Sequence, residues 1–247
     1  SWLYFSDRLM ELPLGTFGIA IAIVVLPNLS KQHAESSMQE FSETLNWSFR
    51  LVCLVAIPST VALMLIAEPL LITLFQNENF TIVDVVSAAG SLRAYAIGLL
   101  AFMAIKIFSP GYFARQNTKT PVRIGIIAMM ANMVMNILFY LNGFAHIGLA
   151  LATSIAAFIN AGLLMVGLFK EKVFYFQVGW GWFLVQLLFA NLLLSYFLIS
   201  FSGDWEAWQQ LTTGAQIVRL SLLVAGGVIT YFGGLFCCGL RWQQIYR

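Results

Sequence analysis

The chain has 247 residues, 60% of them hydrophobic and only 10% charged, with a mean hydropathy of +0.84. Soluble domains are nearer half apolar and a quarter charged, so soluble globular folds, disordered tails and nucleic-acid modules are excluded. The formal net charge of +2 is too small to mark a polyanion partner. At about 35 residues per span and loop, the length holds about seven membrane helices.

Apolar runs long enough to cross a bilayer predict spans at 3–28, 47–67, 83–108, 121–141, 145–169, 180–201 and 217–240. The chain opens abruptly on SWLYFSDRLMEL, already amphipathic and without a basic n-region, which reads as a fragment. The first span carries Pro13. Residues 30–46 are polar and free of proline and glycine, and predict a surface helix linking the first two spans. The second span carries Pro58, where a kink is expected. Residues 68–80 form a short amphipathic segment suited to an interface. Thr81 with Asp84 marks the start of the third span as a capping pair. Thr120 followed by Pro121 marks the start of the fourth.

Charge sets the orientation. Lys106, Arg115, Lys119 and Arg123 cluster between the third and fourth spans without an acid, and Lys170, Lys172, Arg241 and Arg247 fall on the same side. Glu68, Glu78, Asp84, Asp204 and Glu206 fall on the other. Seven alternating spans then put the N-terminus outside and the C-terminus in the cytoplasm.

Three cysteines and two histidines show no metal-ligand spacing. Cys53 reads as a small core hydrophobe. For Cys237 and Cys238, packing is the preferred reading over lipidation. No nucleophile elbow, phosphate loop or paired-carboxylate site is present, so an enzyme is the weakest class.

The sharpest feature is Asp7-Arg8-Leu-Met-Glu11. An arginine near hydrocarbon is costly unless it snorkels, pairs or lines water, and its fork suits phosphate oxygens. Glu11 lies on the same helical face and can hold the guanidinium. Local sequence divides evenly between a ligand-binding arginine and a snorkelling one. Arg93, about ten residues into the third span, is a further candidate for lining a cavity. Asn132 and Asn136 share a face of the fourth span, and with Thr153 of the next they form a candidate cation site, although interhelical hydrogen bonding is the plainer reading. Small residues mark close helix contacts or a lipid groove: Gly15, Gly18 and Ala22 in the first span, Gly148, Ala152 and Ala156 in the fifth, and Gly226–Gly227 with Gly233–Gly234 in the last.

DRLMELPLGTFGIAIAIVVLPNLS (7–30) and SPGYFARQNTKTPVRI (109–124) resemble the MurJ/MviN family of lipid II flippases, within the multidrug/oligosaccharidyl-lipid/polysaccharide (MOP) exporter superfamily. The resemblance spans the whole chain but only the C-terminal half of the family, spans eight to fourteen. It implies an all-α, polytopic transmembrane bundle with a MATE-like arrangement. Residues 1–169 would be the second transport lobe without its first helix, and 170–247 two additional spans forming a lipid-tail groove.

The implied function is flipping of lipid II, an undecaprenyl-diphosphate disaccharide-pentapeptide, across the bacterial inner membrane by alternating access. Arg8, Asp7 and Glu11 match the family's cavity motif, and Pro13, Gly15 and Gly18 would permit bending. The implied partners are lipid II, membrane lipids and the N-terminal half of the same protein. No cofactor is implied, and coupling to sodium, protons or the membrane potential stays open. The alternatives are another polysaccharide-precursor flippase, a cation-coupled exporter, or a non-transporting membrane scaffold.

Overall fold

The computed structural model describes residues 2–77 and 80–239, apart from the side chain of residue 145. Glu78, Arg241, Arg247 and the last residue of the seventh predicted span therefore lie outside the described residues. Every regular element among the described residues is helical: α1 (Trp2–Pro13), a π-helical segment (Leu14–Gly18), α2 (Ile19–Ala34), α3 (Met38–Leu65), α4 (Ala67–Phe75), α5 (Ile82–Phe113), α6 (Lys119–Leu141), α7 (Ala145–Lys170), α8 (Trp180–Ser202), α9 (Trp205–Gln209) and α10 (Thr213–Cys237). Taking α1, the π segment and α2 as one rod, seven helices among the described residues are long and apolar enough to cross a membrane. These are the seven predicted spans.

Their ends differ from expectation in instructive ways. Residues 30–46 are not a separate surface helix. α2 runs on to Ala34 and α3 starts at Met38, with Ser36 at φ +57° turning the chain between them. A polar stretch without helix breakers lets both rods continue past the apolar zone, where Gln32 Nε2 donates to Thr44 Oγ1 at 2.8 Å. α6 begins at Lys119, one residue before the expected cap. Asn117 Oδ1 accepts from the Thr120 N–H at 3.2 Å, and Pro121 still falls in the first turn, where its missing N–H costs nothing. The start of α5 is as predicted: Asp84 Oδ2 accepts from both the Thr81 N–H and its hydroxyl, each at 2.8 Å.

We call the end at which α1 begins the upper end. There Trp2 Nε1 donates to Asp84 Oδ1 at 2.6 Å, and the Trp2 ring meets His146 edge-on at 4.7 Å. These contacts join the tops of α1, α5 and α7. Ser6 sits below them, fully buried, with its hydroxyl on the Ala88 carbonyl at 2.8 Å. α5 is the central rod, buried over most of its length, whereas α6 is largely exposed. Two glycine contacts set its distance from α7. A Cβ at Gly98 would approach the Ser154 hydroxyl to 2.6 Å, and one at Gly167 would collide with the Tyr112 hydroxyl. That hydroxyl is fixed by donation to the Leu164 carbonyl at 2.8 Å.

α8 and α10 form a second packed pair. Gly226, Gly227 and Gly234 face Phe197, Leu194 and Ala190, whereas Gly233 faces open space. The pair is fixed to the rest through α3. Tyr231 donates to the Leu54 carbonyl at 2.8 Å. Asn46, with no exposed surface, donates to the Tyr175 carbonyl at 2.8 Å and accepts from Trp180 Nε1 at 2.9 Å. A buried amide with all its partners is a strong positional constraint.

Candidate functional site

The α1 rod places its charged motif on two faces, because successive helical residues are turned by about 100°. Arg8 faces an open depression of about 620 Å³, walled by its own helix and by Leu74 and Phe75 of α4. Its Nη1 lies 3.3 Å from Glu11 Oε2, and its guanidinium sits 5.2 Å from the Tyr4 ring centroid. With 58% of its side chain exposed, Arg8 is pre-oriented on both sides yet open to a ligand. Asp7 faces a different opening of about 440 Å³ beside Tyr95, Phe102 and Thr153. Glu11 borders both openings. The three motif residues are thus split, with Glu11 as the hinge between a cationic and an acidic face.

Directly below the motif the rod changes pitch. Pro13 has no N–H to give to the carbonyl four residues back, and the helix answers with the π segment Leu14–Gly18. Gly15 borders the Arg8 depression with nothing within 4 Å of its Cβ position. Of the two readings that the small residues allowed, close contact or groove, Gly15 follows the open one. Gly18 is buried, and a Cβ there would meet the Leu14 and Met103 side chains at 3.4 and 3.6 Å, ordinary contact with α5.

Arg93 of α5 is engaged by other elements. Its Nε donates to the Met64 carbonyl at 3.0 Å, and its Nη2 lies 2.6 Å from Glu68 Oε2. It ties the end of α3 and the start of α4 to α5. Thr153 gives its hydroxyl to the Leu149 carbonyl at 2.9 Å and borders the Asp7 opening. Asn132 and Asn136 carry buried Oδ1 atoms without hydrogen-bond partners, and they are not among the residues bordering that opening. Among the described residues, no group of three or more His, Cys, Asp or Glu side chains could hold a metal ion.

A third opening, of about 300 Å³, lies between α3 and the α8–α10 pair. Its walls are almost wholly apolar, including Phe17, Leu54, Pro58, Leu198, Leu223 and Phe232. Phe17 belongs to the π segment, so this groove reaches the rod that carries Arg8. Sequence reasoning missed Tyr4, Asn46, Arg50 and Tyr231. The i, i+4 spacing of Tyr4 and Arg8 was an available signal. The others act on groups at least 128 residues away, and no local pattern reports that.

A family model described as lipid II flippase MurJ matches residues 1–218. The chain belongs to the MurJ family. A MurJ relative from Vibrio cholerae, described as a probable lipid II flippase, is 42% identical over 99% of the chain and 46% of its own length. One from Haemophilus influenzae is 40% identical over 98% of the chain and 48% of its own length. A solved MurJ structure, described as an inward closed conformation, superposes with a TM-score of 0.75 at 26% identity, over 95% of the chain and 46% of the solved chain. The chain spans about half the length of the MurJ relatives it matches.

Proposed function

We propose that this chain is the C-terminal half of a lipid II flippase of the bacterial inner membrane. The observation that carries this reading is the Arg8 guanidinium, held between Tyr4 and Glu11 at an open depression beside α4. Membership of the MurJ family supports the same substrate. A diphosphate cannot cross hydrocarbon unaided, since buried charge without a partner costs many kcal/mol. A bidentate guanidinium in a water-filled cavity replaces part of the lost hydration. Glu11 occupies Arg8 while the site is empty, and the substrate's phosphate oxygens displace it.

In this reading α1–α7 are five spans of the second transport lobe, and α8 and α10 are the additional pair. The apolar groove at Phe17, Leu54 and Leu223 takes the polyprenyl tail, and its contact with the π segment couples tail to head group. Rocking of this lobe against the other exposes the cavity alternately, with Pro13, Gly15 and Gly18 absorbing the bend. The basic lower end faces the cytoplasm and the upper end the periplasm. Asn132, Asn136 and Thr153 remain the candidate site for a coupling cation, because two of the three carry unpartnered buried oxygens.

The test is transport by the full-length protein in vesicles, comparing lipid II with other polyprenyl-diphosphate sugars. Preferential flipping of lipid II is the expected result. Equal handling of all of them points to a general precursor flippase, and binding without transport points to a scaffold.

A further inference from the structure

The four ion pairs among the described residues engage Arg8, Lys31, Arg93 and Arg115. Arg50 of α3 is different. It is half-buried, three residues inside the second predicted span, and no carboxylate lies within 4.0 Å of it among the described residues. Its guanidinium is braced against two rings that open α8, 5.4 Å from the Trp180 centroid and 5.8 Å from that of Phe183. Nε is buried without an acceptor. The one hydrogen bond is a long one, from Nη2 to the Val178 carbonyl at 3.4 Å. One donor is thus buried without a partner, while the Nη groups of the same fixed plane stay open at the surface.

The surroundings indicate which acceptor suits this guanidinium. Trp180 begins α8 at the lower end of the bundle, next to the connection that carries Lys170 and Lys172. Val178 is fully exposed beside it, and Leu184 and Leu188 present an apolar strip on one face of α8. Gly179, at φ +99°, adds no side chain over the guanidinium, and even a Cβ there would stay 3.9 Å from Nη2. An arginine braced on the two buried rings of Trp180 and Phe183 at the lower end, with an exposed apolar strip of α8 rising above it, suits a lipid with an anionic phosphate.

We infer that Arg50, framed by Trp180 and Phe183, binds the headgroup phosphate of an anionic phospholipid in the leaflet at the lower end, with its acyl chains along α8. This site is separate from the Arg8 depression and does not depend on the flippase reading. Bound lipid completes the donors of a side chain that joins α3 to α8, and so stiffens the junction between the α8–α10 pair and the rest of the molecule.

The experiment places the full-length protein in nanodiscs of phosphatidylcholine with or without phosphatidylglycerol and measures lipid retained after detergent extraction. Arg50→Gln is expected to lower retained phosphatidylglycerol about fivefold, the factor for one basic residue at a lipid surface. Arg50→Lys should fall between, keeping the charge without the fork. Equal retention in wild type and Arg50→Gln overturns the inference. Should Arg50→Gln fail to fold, phosphatidylglycerol with a photoreactive headgroup is applied to the unsubstituted protein. Crosslinks to peptides containing residues 46–50 or 176–183 support the site, and crosslinks confined to other peptides overturn it. Protection of those peptides by lipid II but not by phosphatidylglycerol also overturns it, in favour of a substrate subsite.

Discussion

Arg8, Asp7 and Glu11 show how one turn of helix can serve two openings. The guanidinium is exposed and paired to Glu11, so removing the acid alone frees the cation rather than the site. We expect Glu11→Gln to leave substrate binding largely intact in a full-length binding assay, whereas Arg8→Gln weakens it strongly. Stability is decided elsewhere. Gly167→Ala places a methyl against the Tyr112 hydroxyl and breaks its bond to Leu164. A loss of about 1–3 kcal/mol is expected for such overpacking, read as a lower melting temperature in detergent with the Arg8 site unchanged. The sequence singled out Arg8 as a charge at the start of an apolar span, left ligand binding and snorkelling evenly balanced, and only the family resemblance favoured the cavity. Asn46 and Arg50 were not legible, because their partners lie on the connection leading into α8, at least 128 residues away.

At the scale of elements, the first rod is the one with a built-in break. Pro13 and the π segment separate the turn that carries Arg8 from α2, and Gly15 keeps the adjoining surface open. Replacing Pro13 and Gly15 together by alanine favours a regular helix, by about 3 kcal/mol for the proline and about 1 for the glycine. The account predicts unchanged or higher thermal stability and severalfold slower flipping in vesicles. Unchanged flipping would remove the bending role from this segment. The spans themselves were legible because apolar length alone defines them. Their ends were less so: polar residues 30–46 could equally form a surface helix or extend two rods, and the turn at Ser36 decided between these. The short helix α9 had no apolar run to announce it.

For the whole molecule, the groove between α3 and the α8–α10 pair relates two parts of the chain that the sequence only lists in order. Gly226 and Gly227 bring the pair together, Asn46 and Tyr231 fix it to α3, and the space left is apolar and touches Phe17. Filling it with Leu223→Trp should weaken binding of lipid II with a long polyprenyl tail and spare a short-chain analogue carrying the same head group. Equal loss for both would argue for a folding defect rather than a tail site. The small-residue rows were visible in the sequence, but whether each packs or opens depends on the partner surface. Gly226 and Gly227 pack, and Gly15 and Gly233 do not.

The central claim is that the Arg8 guanidinium meets the substrate's diphosphate, and growth of cells depending on the full-length protein tests it most directly. The account predicts that Arg8→Ala fails to support growth at normal membrane levels of the protein, with Arg8→Lys impaired. Full growth with Arg8→Ala would contradict it.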